Sequence, residues 1–369
     1  MQLIRLVVLC ALASLAHRSA HAADLAVLVP VDRDGHTRGE ITGLQFMYGV
    51  KTFLDRVNKE GGVNGRLIRI VEVDQLALTA KFSALIHKQF QAEPVAAILG
   101  CSTDDACLIA KSAAQEHHVP LIAPLSINME LANNGTGTVF SLRAPLQREV
   151  EALVSQLSAL ASSKIALLTE TAKESPSDRA LLEALNRRKM SVTRIVAGTP
   201  ADRAKLPQRL GESRFHAAIL NIDGDSVAAL IDAGISESPE WPRVLMTLAN
   251  GNLEMMLRAF KGRTIGFTES VPNPERPVLP VARQLQQDVE KYGGNPTAMS
   301  YAGMEGYLAA RLFVEATRRN AGRETLRDAL QRTGSWDLGG YRLDFSGGRV
   351  WGNEKVGLGT RSSAGYVIN

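Results

Sequence analysis

The residue types that carry out most enzymatic chemistry occur in this chain without the spacing that such chemistry needs. Gly100-Cys101-Ser102-Thr103 lacks the second glycine of a G-x-S-x-G nucleophile turn. No phosphate-binding G-x-x-x-x-G-K-[ST] loop occurs, and Gly135-Thr136-Gly137 precedes a predicted strand, so it is a turn. Metal-ligand spacing is missing among four histidines, namely His36, His87, His117 and His216. The sequence therefore predicts a protein that is not an enzyme and that holds no metal or cofactor.

Polar residues that directly follow predicted strands are the better candidates for a binding site. Ser102, Thr103 and Asp104 come after the strand at 95–99 and open a helix, where free main-chain N–H groups suit a carboxylate or another anion. The alternative is that Ser102 or Thr103 simply caps the helix. Asp223 follows a strand that ends at 222. It either faces a ligand or belongs to a turn in which Asp225 is the N-cap.

These loops belong to a regular alternation of short apolar strands and amphipathic helices. The first part of the chain predicts strands at 25–29, 67–73, 95–99 and 120–123, with helices at 43–60, 80–91 and 104–117 between them. After a connector at 140–145 and a helix at 150–160 the pattern restarts, with strands at 165–168, 192–196, 217–222, 244–246 and 264–267 and helices at 178–188, 204–210, 227–233 and 252–260. Strands this apolar are typical of parallel sheets buried on both faces. The sequence predicts an α/β fold with two domains of similar size.

The end of the chain has a different pattern. Two long helices, at 281–292 and 297–319, follow a proline-rich connector and are expected to pack back onto the first sheet. The segments at 338–345, 349–351 and 365–368 are predicted to be short antiparallel strands, because paired glycines at 339–340 and 347–348 punctuate them.

Length and charge exclude several classes of protein. A chain of 369 residues is long enough for two domains. Its 42 basic and 38 acidic residues give a net charge of +4, too small to indicate a nucleic-acid-binding protein. No stretch after the first twenty residues is long and apolar enough to span a bilayer, so the sequence predicts a protein that is not membrane-embedded.

Residues 1–22 have the pattern of a secretory signal. Arg5 precedes a short apolar run at 6–15, and an A-x-A pattern ends at Ala22, after which cleavage is expected. Cys10 lies inside the apolar run and is lost with it. The exported chain retains Cys101 and Cys107, which either form a disulfide or remain free thiols. If Cys107 lies in the first turn of a helix, its Cα is expected to be beyond disulfide reach of Cys101.

Two stretches carry motifs of a known family. The first begins with Asn58-Lys-Glu-Gly-Gly-Val-Asn-Gly65 and continues through residues 95–102 to Pro120-Leu-Ile-Ala-Pro-Leu-Ser126. The second runs from Ser300-Tyr-Ala-Gly-Met-Glu-Gly-Tyr307 to residues 337–345. Both stretches resemble the type I periplasmic binding proteins of the leucine/isoleucine/valine-binding kind, and the resemblance covers essentially the whole mature chain.

The resemblance implies two Rossmann-like lobes with parallel sheets, joined by three crossovers, with a ligand in the cleft between the lobes. Lobe 1 is expected to comprise residues 23–142 and 272–339, and lobe 2 residues 143–271 and 340–369. The expected crossovers are residues 142–145, 268–272 and a segment near 339–343. Ligands of open α/β sheets bind at the carboxyl ends of the strands, which directs attention to the loops after residues 99, 123, 168, 222 and 246.

The same resemblance implies eight ligand-binding residues. They are Ser102, Thr103, Leu125, Ser126 and Ile127 in lobe 1, and Thr171, Asp223 and Thr247 in lobe 2. The chain departs from the family in lobe 2, because residues 169–176 contain no aromatic residue and residues 247–250 lack the glutamate that binds an α-ammonium group. Asp223 or Glu170 is then expected to replace that glutamate, or else the ligand has no ammonium group.

By function, the resemblance implies a periplasmic receptor that captures a small polar molecule, an amino acid or a related amide or carboxylate. The receptor is expected to be a monomer and to deliver its ligand to the permease subunits of an ABC importer. The alternative is a ligand sensor of the same fold that feeds a signalling partner.

Overall fold

A computed structural model describes residues 24–31, 42–75, 79–133, 137–249, 255, 256, 259, 260, 262–320, 322–362, 364, 367 and 368. The predicted signal segment at 1–22 and the cleavage site before Ala23 lie outside the described residues, as does most of the helix predicted at 252–260. Among the described residues, no helix combines the length and apolar character that crossing a bilayer would need.

Within the described ranges, the first sheet has five parallel strands in the order β2-β1-β3-β4-β5. Its strands are β1 (Leu25–Val31), β2 (Ile68–Asp74), β3 (Val95–Leu99), β4 (Leu121–Ile122) and β5 (Val139–Phe140), and its helices are α1 (Thr42–Lys59), α2 (Thr79–Ala92) and α3 (Asp104–Glu116). All seven side chains of β1 are buried, as the sequence predicts for a central parallel strand. Strand β5 was not predicted, because two residues are too few to show a strand period.

The second sheet, in the part of the chain that the structure describes, has seven strands in the order β14-β13-β10-β9-β8-β6-β7. Five are parallel: β6 (Lys164–Thr169), β7 (Ser191–Val196), β8 (Ala217–Asn221), β9 (Val244–Thr247) and β10 (Thr264–Glu269). Helix α4 (Leu146–Ala159) precedes β6, and the helices between the strands are α5 (Pro176–Arg187), α6 (Pro200–Ala204), α7 (Leu206–Ser213) and α8 (Gly224–Asp232). The single helix predicted at 204–210 is wrong in extent. The structure has two short helices there, and the second begins beside Pro207, whose ring cannot continue a preceding helix.

The elements that follow β10 are α9 (Pro280–Tyr292), α10 (Tyr301–Asn320), α11 (Leu326–Thr333), β11 (Ser335–Asp337), β12 (Arg342–Asp344), β13 (Gly357–Arg361) and β14 (Val367–Ile368). Helices α9 and α10 share one core cluster with β1 and α1, which confirms their predicted return to the first sheet. Strands β11 and β12 form an antiparallel hairpin, whereas β13 and β14 extend the second sheet. The strand predicted at 349–351 is wrong, because Trp351 makes only one bridge, parallel, with Ser141.

The motif Asn58–Gly65 forms the turn between α1 and β2. The Asn58 side chain donates to Ile68 O and accepts from Ile68 N, both at 2.8 Å, so it fixes the start of β2. Gly62 has a φ of 79°, and a Cβ there would lie 2.1 Å from Arg66 O. Only glycine fits that position without moving the backbone. The family motif is thus explained by the geometry of the turn.

The second motif, on α10, brings two helices into backbone contact. A Cβ on Gly49 of α1 would lie 1.8 Å from Gly303 O, and one on Gly306 would lie 2.0 Å from Phe46 O. Next to this contact, the ring of Tyr307 packs edge-on against Phe53 at a centroid distance of 4.9 Å. The small residues of α10 therefore allow α1 to approach closely enough for the first lobe to close around one core.

A disulfide joins Cys101 and Cys107, with the two Cα atoms 5.2 Å apart. Cys107 lies in the first turn of α3, so the expectation that a cysteine there would be beyond disulfide reach of Cys101 was wrong. The bond ties the loop that follows β3 to the first turn of α3.

Candidate functional site

The loop after β3 is built around main-chain and side-chain hydrogen bonds. Ser102 N donates to Gln75 Oε1 at 2.9 Å, and Thr103 is the N-cap of α3, accepting from Ala106 N at 3.2 Å. Both Ser102 and Thr103 are partly exposed, and Asp104 is exposed. Thr103, rather than Ser102, is therefore the N-cap of α3. Ser102 and Asp104 lie on either side of it in the chain.

The loop after β4 meets the same place. The Ser126 hydroxyl donates to Asp104 Oδ1 and accepts from Asn128 N at 3.0 Å, while Asn128 Nδ2 approaches Asp104 Oδ2 at 3.4 Å. Leu125 is buried, and its main-chain N–H donates to Cys101 O at 3.0 Å. The structure thus brings Ser126 and Asn128 onto the Asp104 carboxylate, next to Ser102 and Thr103 in the chain, at the carboxyl ends of two neighbouring strands.

Ile127 connects this loop to the second lobe. Its half-buried side chain packs against the core cluster that contains Leu146 and Val150 of α4, together with residues of β6 and β8. The predicted site residue therefore lies where the lobes meet, and it offers only apolar surface there.

An acidic cluster occupies the corresponding loops of the second lobe. Glu170, directly after β6, accepts from Asp223 N at 2.5 Å and from the Ser226 hydroxyl at 2.8 Å. Asp223 is the N-cap of α8 and accepts from Ser226 N at 2.9 Å, so the expectation that Asp225 caps this helix was wrong. Burial raises the pKa of Glu170, and the negative charge of Asp223 raises it further.

The other two predicted residues of the second lobe have different surroundings. Thr171 is exposed, and its hydroxyl donates to Lys173 O at 2.9 Å. Thr247 ends β9 and is fully buried. Its hydroxyl lies 3.2 Å from both Leu220 O and Leu248 O. In this structure the Thr247 hydroxyl is thus engaged with main-chain carbonyl groups.

A buried ion pair links the first expected crossover to the first lobe, and sequence reasoning missed it. Arg143 forms a bidentate ion pair with Glu305 of α10, donating from Nε to Oε1 at 3.0 Å and from Nη2 to Oε2 at 2.9 Å. Its Nη1 donates to Ala249 O at 2.7 Å, in the loop after β9. Both side chains are at most 5% exposed. Glu305, an acidic residue within the apolar pattern of α10, is the feature of the sequence that could have indicated a buried ion pair.

A second buried carboxylate, Glu149 of α4, lies beside this pair, and its hydrogen-bond donors among the described residues are neutral groups. Its donors are Ala249 N at 3.0 Å, the Thr268 hydroxyl at 2.8 Å and the Ser270 hydroxyl at 2.9 Å. Burial raises the pKa of Glu149, and the nearby Arg143 opposes that shift. Glu149 therefore connects α4 to the segment that follows β10.

The segment near 339–343 contacts both of the other expected crossovers through Tyr341. Its hydroxyl approaches Leu142 O at 2.6 Å and Ser270 O at 2.7 Å, and it accepts from Asn353 Nδ2 at 3.1 Å. A cavity of about 510 Å³ adjoins this junction, lined in part by Ser270, Tyr341 and Asn353. These three segments thus meet in one buried polar network.

The comparisons with known proteins decide the family. Residues 26–355 match the family model described as periplasmic binding protein. The chain belongs to this family. A search of curated proteins found no match.

Solved structures of the periplasmic binding protein family share the fold at low sequence identity. A substrate-binding periplasmic protein from Ralstonia solanacearum is 22% identical with a TM-score of 0.79, covering 94% of this chain and 99% of that one. A substrate-binding protein from Desulfitobacterium hafniense in complex with Leu is 20% identical, with a TM-score of 0.71 and coverage of 94% and 100%. A fatty acid ABC transporter substrate-binding protein from Thermomonospora curvata is 17% identical, with a TM-score of 0.77 and coverage of 94% and 91%. The second of these structures contains Leu and the third protein is named for fatty acids, so one fold serves chemically different ligands.

Proposed function

We propose that this periplasmic binding protein captures a small polar molecule, an amino acid or a related amide or carboxylate, and delivers it to the permease of an ABC importer. The observation that carries the proposal is that each lobe has a polar cluster at the carboxyl ends of its strands. One is Asp104 with Ser126 and Asn128, and the other is Glu170 with Asp223 and Ser226. Ligands of open α/β sheets bind at this edge.

The charge of the second cluster favours a ligand with a positively charged group. Glu170 and Asp223 lie in contact, and the pKa of Glu170 is raised by burial and by its neighbour. An ammonium group between them would relieve this repulsion, and a buried ammonium group needs such acceptors because an unpaired buried charge is very costly. Glu170 and Asp223 are therefore proposed to replace the glutamate that is missing from residues 247–250.

The ligand class is tested by a thermal-shift screen on the wild type and on Asp223→Asn. Amino acids, their keto-acid analogues and small amides are added separately. An amino-acid ligand is expected to stabilise the wild type and to stabilise Asp223→Asn much less, because that variant lacks one charged acceptor. Stabilisation by keto acids or amides alone would contradict the role of the acidic cluster. Equal stabilisation of both proteins by an amino acid would contradict the assignment of Asp223.

Export to the periplasm rests on the sequence of residues 1–22. We expect the mature protein to begin at Ala23. N-terminal sequencing of protein recovered from the periplasm tests this expectation, and a product that still contains Arg5 would contradict it. Co-purification with a permease, compared with co-purification with a signalling receptor, separates transport from sensing.

A further inference from the structure

Two histidines and a glutamate meet on the first lobe, far from the cleft loops. His87 lies on α2, Glu116 is the last residue of α3, and His117 is the C-cap of that helix. We infer that these three side chains bind a divalent transition-metal ion such as Zn²⁺. Since α3 has 13 residues and begins beside Ser126, the inferred site lies about 20 Å from the candidate ligand site.

The distances suit a shared ion. His87 Nδ1 lies 3.2 Å from His117 Nε2 and 3.8 Å from Glu116 Oε1, and one ligand atom from each residue lies within 4.8 Å of the other two. Two ligands at about 2.0–2.1 Å from a tetrahedral Zn²⁺ are roughly 3.3–3.4 Å apart. The two ring nitrogens are already near this separation. Glu116 is exposed, so its side chain has room to rotate toward the same ion.

The surroundings favour a cation and hold one ligand in place. The ring of Phe90 stacks on His117 with a centroid distance of 3.9 Å and an angle of 4°, which restricts rotation of the imidazole. The carboxyl end of α3, where Glu116 and His117 lie, carries the negative end of the helix dipole. Imidazole and carboxylate are ligands that Zn²⁺ accepts, and three protein ligands leave one position for water.

Sequence spacing hid this arrangement, because His87 and His117 are 30 residues apart on different helices. A hydrogen bond between the two rings accounts for the 3.2 Å distance without a metal. The two explanations differ in what added Zn²⁺ does: an ion held by both rings ties α2 to α3, whereas a plain hydrogen bond gives Zn²⁺ no such site.

The test is calorimetric titration of ZnCl₂ into tag-free protein that has been stripped with EDTA and dialysed. We expect one ion per chain, with affinity lowered more than about tenfold in His87→Ala and in His117→Ala, since even changes behind a metal ligand cost 10- to 100-fold. His118→Ala is the matched control. This exposed neighbour is outside the cluster and is expected to bind Zn²⁺ like the wild type.

A second measurement separates metal binding from misfolding of the variants. Zn²⁺ bound to the native state only is expected to raise the Tm of the wild type and of His118→Ala, but not that of His87→Ala. Glu116→Gln changes an exposed side chain and keeps the fold, so its weaker binding would support the site directly. Absence of Zn²⁺ binding to the wild type at millimolar concentration, or equal affinity in the wild type, His87→Ala and Glu116→Gln, would overturn the inference.

Discussion

At the scale of single residues, the groups that most need a partner are the buried charged side chains near the expected crossovers. Arg143 and Glu305 pair with each other, whereas the donors that reach Glu149 from the described part of the chain are a main-chain N–H and two hydroxyl groups. One buried cation thus lies near two buried carboxylates. Removal of the Glu305 charge leaves a buried cation without its partner, whereas removal of the Glu149 charge leaves neutral donors.

We expect the same substitution to have unequal effects at these two glutamates. Glu305→Gln leaves Arg143 without its charged partner and is expected to lower the free energy of unfolding by about 3 kcal/mol. Glu149→Gln keeps an acceptor for Ala249 N and places an amide near hydroxyl groups, so its cost is expected to stay below about 1.5 kcal/mol. Urea unfolding of both variants measures the difference. Equal costs would contradict the assignment of the charge pair to Glu305.

A pH dependence of ligand binding follows from the acidic cluster. Burial, and then the charge of Asp223, raise the pKa of Glu170 above its usual value of 4.5. Below the raised pKa, Glu170 is protonated and offers a positively charged ligand no full charge. Affinity for an amino acid is therefore expected to increase as pH rises through that pKa, by about tenfold if one charge-assisted hydrogen bond is gained.

Titration calorimetry at several pH values checks this expectation. Glu170→Gln is expected to abolish the pH dependence. Glu174→Gln, which changes an exposed acid of the same loop, is expected to keep it. A pH-independent affinity in the wild type would contradict the role of Glu170.

Sequence reasoning located polar loops at strand ends but not the detailed role of each residue. The proximity of Ser126 to Ser102 and Thr103 follows from two adjacent parallel strands ending at one edge. The capping of α8 by Asp223 depends on which of two neighbouring acids adopts extended backbone, and the sequence permits both. Arg143 was missed because its partner, Glu305, is 162 residues away.

At the scale of elements, the contact between α1 and α10 depends on the absence of side chains. The two helices lie so close that neither Gly49 nor Gly306 has room for a Cβ. A methyl group at either position would overlap a main-chain carbonyl oxygen of the opposite helix. The packing of the first lobe is therefore sensitive to the smallest possible side chain at these sites.

Gly306→Ala is accordingly expected to lower the free energy of unfolding by about 1–3 kcal/mol, because the helices must separate to admit the methyl group. Gly211→Ala is the matched control. It is also inside a helix, α7, but its Cβ would meet only the end of the flexible Glu240 side chain. That substitution is expected to be neutral or to stabilise by up to about 1 kcal/mol. Denaturant unfolding measures both, and a neutral Gly306→Ala would contradict the close approach.

The disulfide is the second feature of an element that can be tested. It closes a loop with a sequence separation of six residues, from the end of β3 to the first turn of α3. Paired replacement by serine is expected to lower the free energy of unfolding by about 2 kcal/mol, the value for so short a loop. Denaturant unfolding of the exported protein and of the double variant measures it. A reaction of two free thiols in the untreated exported protein would contradict the bond.

Most elements were predictable, because their apolar periods are long and regular. The strands β1 to β4 and β6 to β10 and the helices α1 to α5 lie within a few residues of their predicted bounds. The two-residue β5, the glycine-containing strand β13 and the short helix α11 were missed, since so few residues show no clear period. The hairpin of β11 and β12 begins earlier than the predicted strand at 338–345, and residues 338–340 form its turn.

At the scale of the whole molecule, the crossovers decide which segments belong to which lobe. Tyr341, Leu343 and Phe345 pack in the same core cluster as β1, and Val350 packs in the cluster that contains α3. The chain enters the second sheet only at β13, which starts at Gly357. On this packing we propose that the third crossover lies at residues 353–357, rather than in the segment near 339–343 that the resemblance implied.

We propose that one ligand is held jointly by the two lobes. Titration calorimetry with the compound that stabilises the wild type most tests it directly, on Ser126→Ala from the first lobe, Asp223→Asn from the second, and the double variant. We predict one ligand per chain, an affinity loss of about 2- to 10-fold for Ser126→Ala and a larger loss for Asp223→Asn. The double variant should lose about the product of the two factors, because the residues lie on different lobes. Unchanged affinity in both single variants would contradict a site between the lobes.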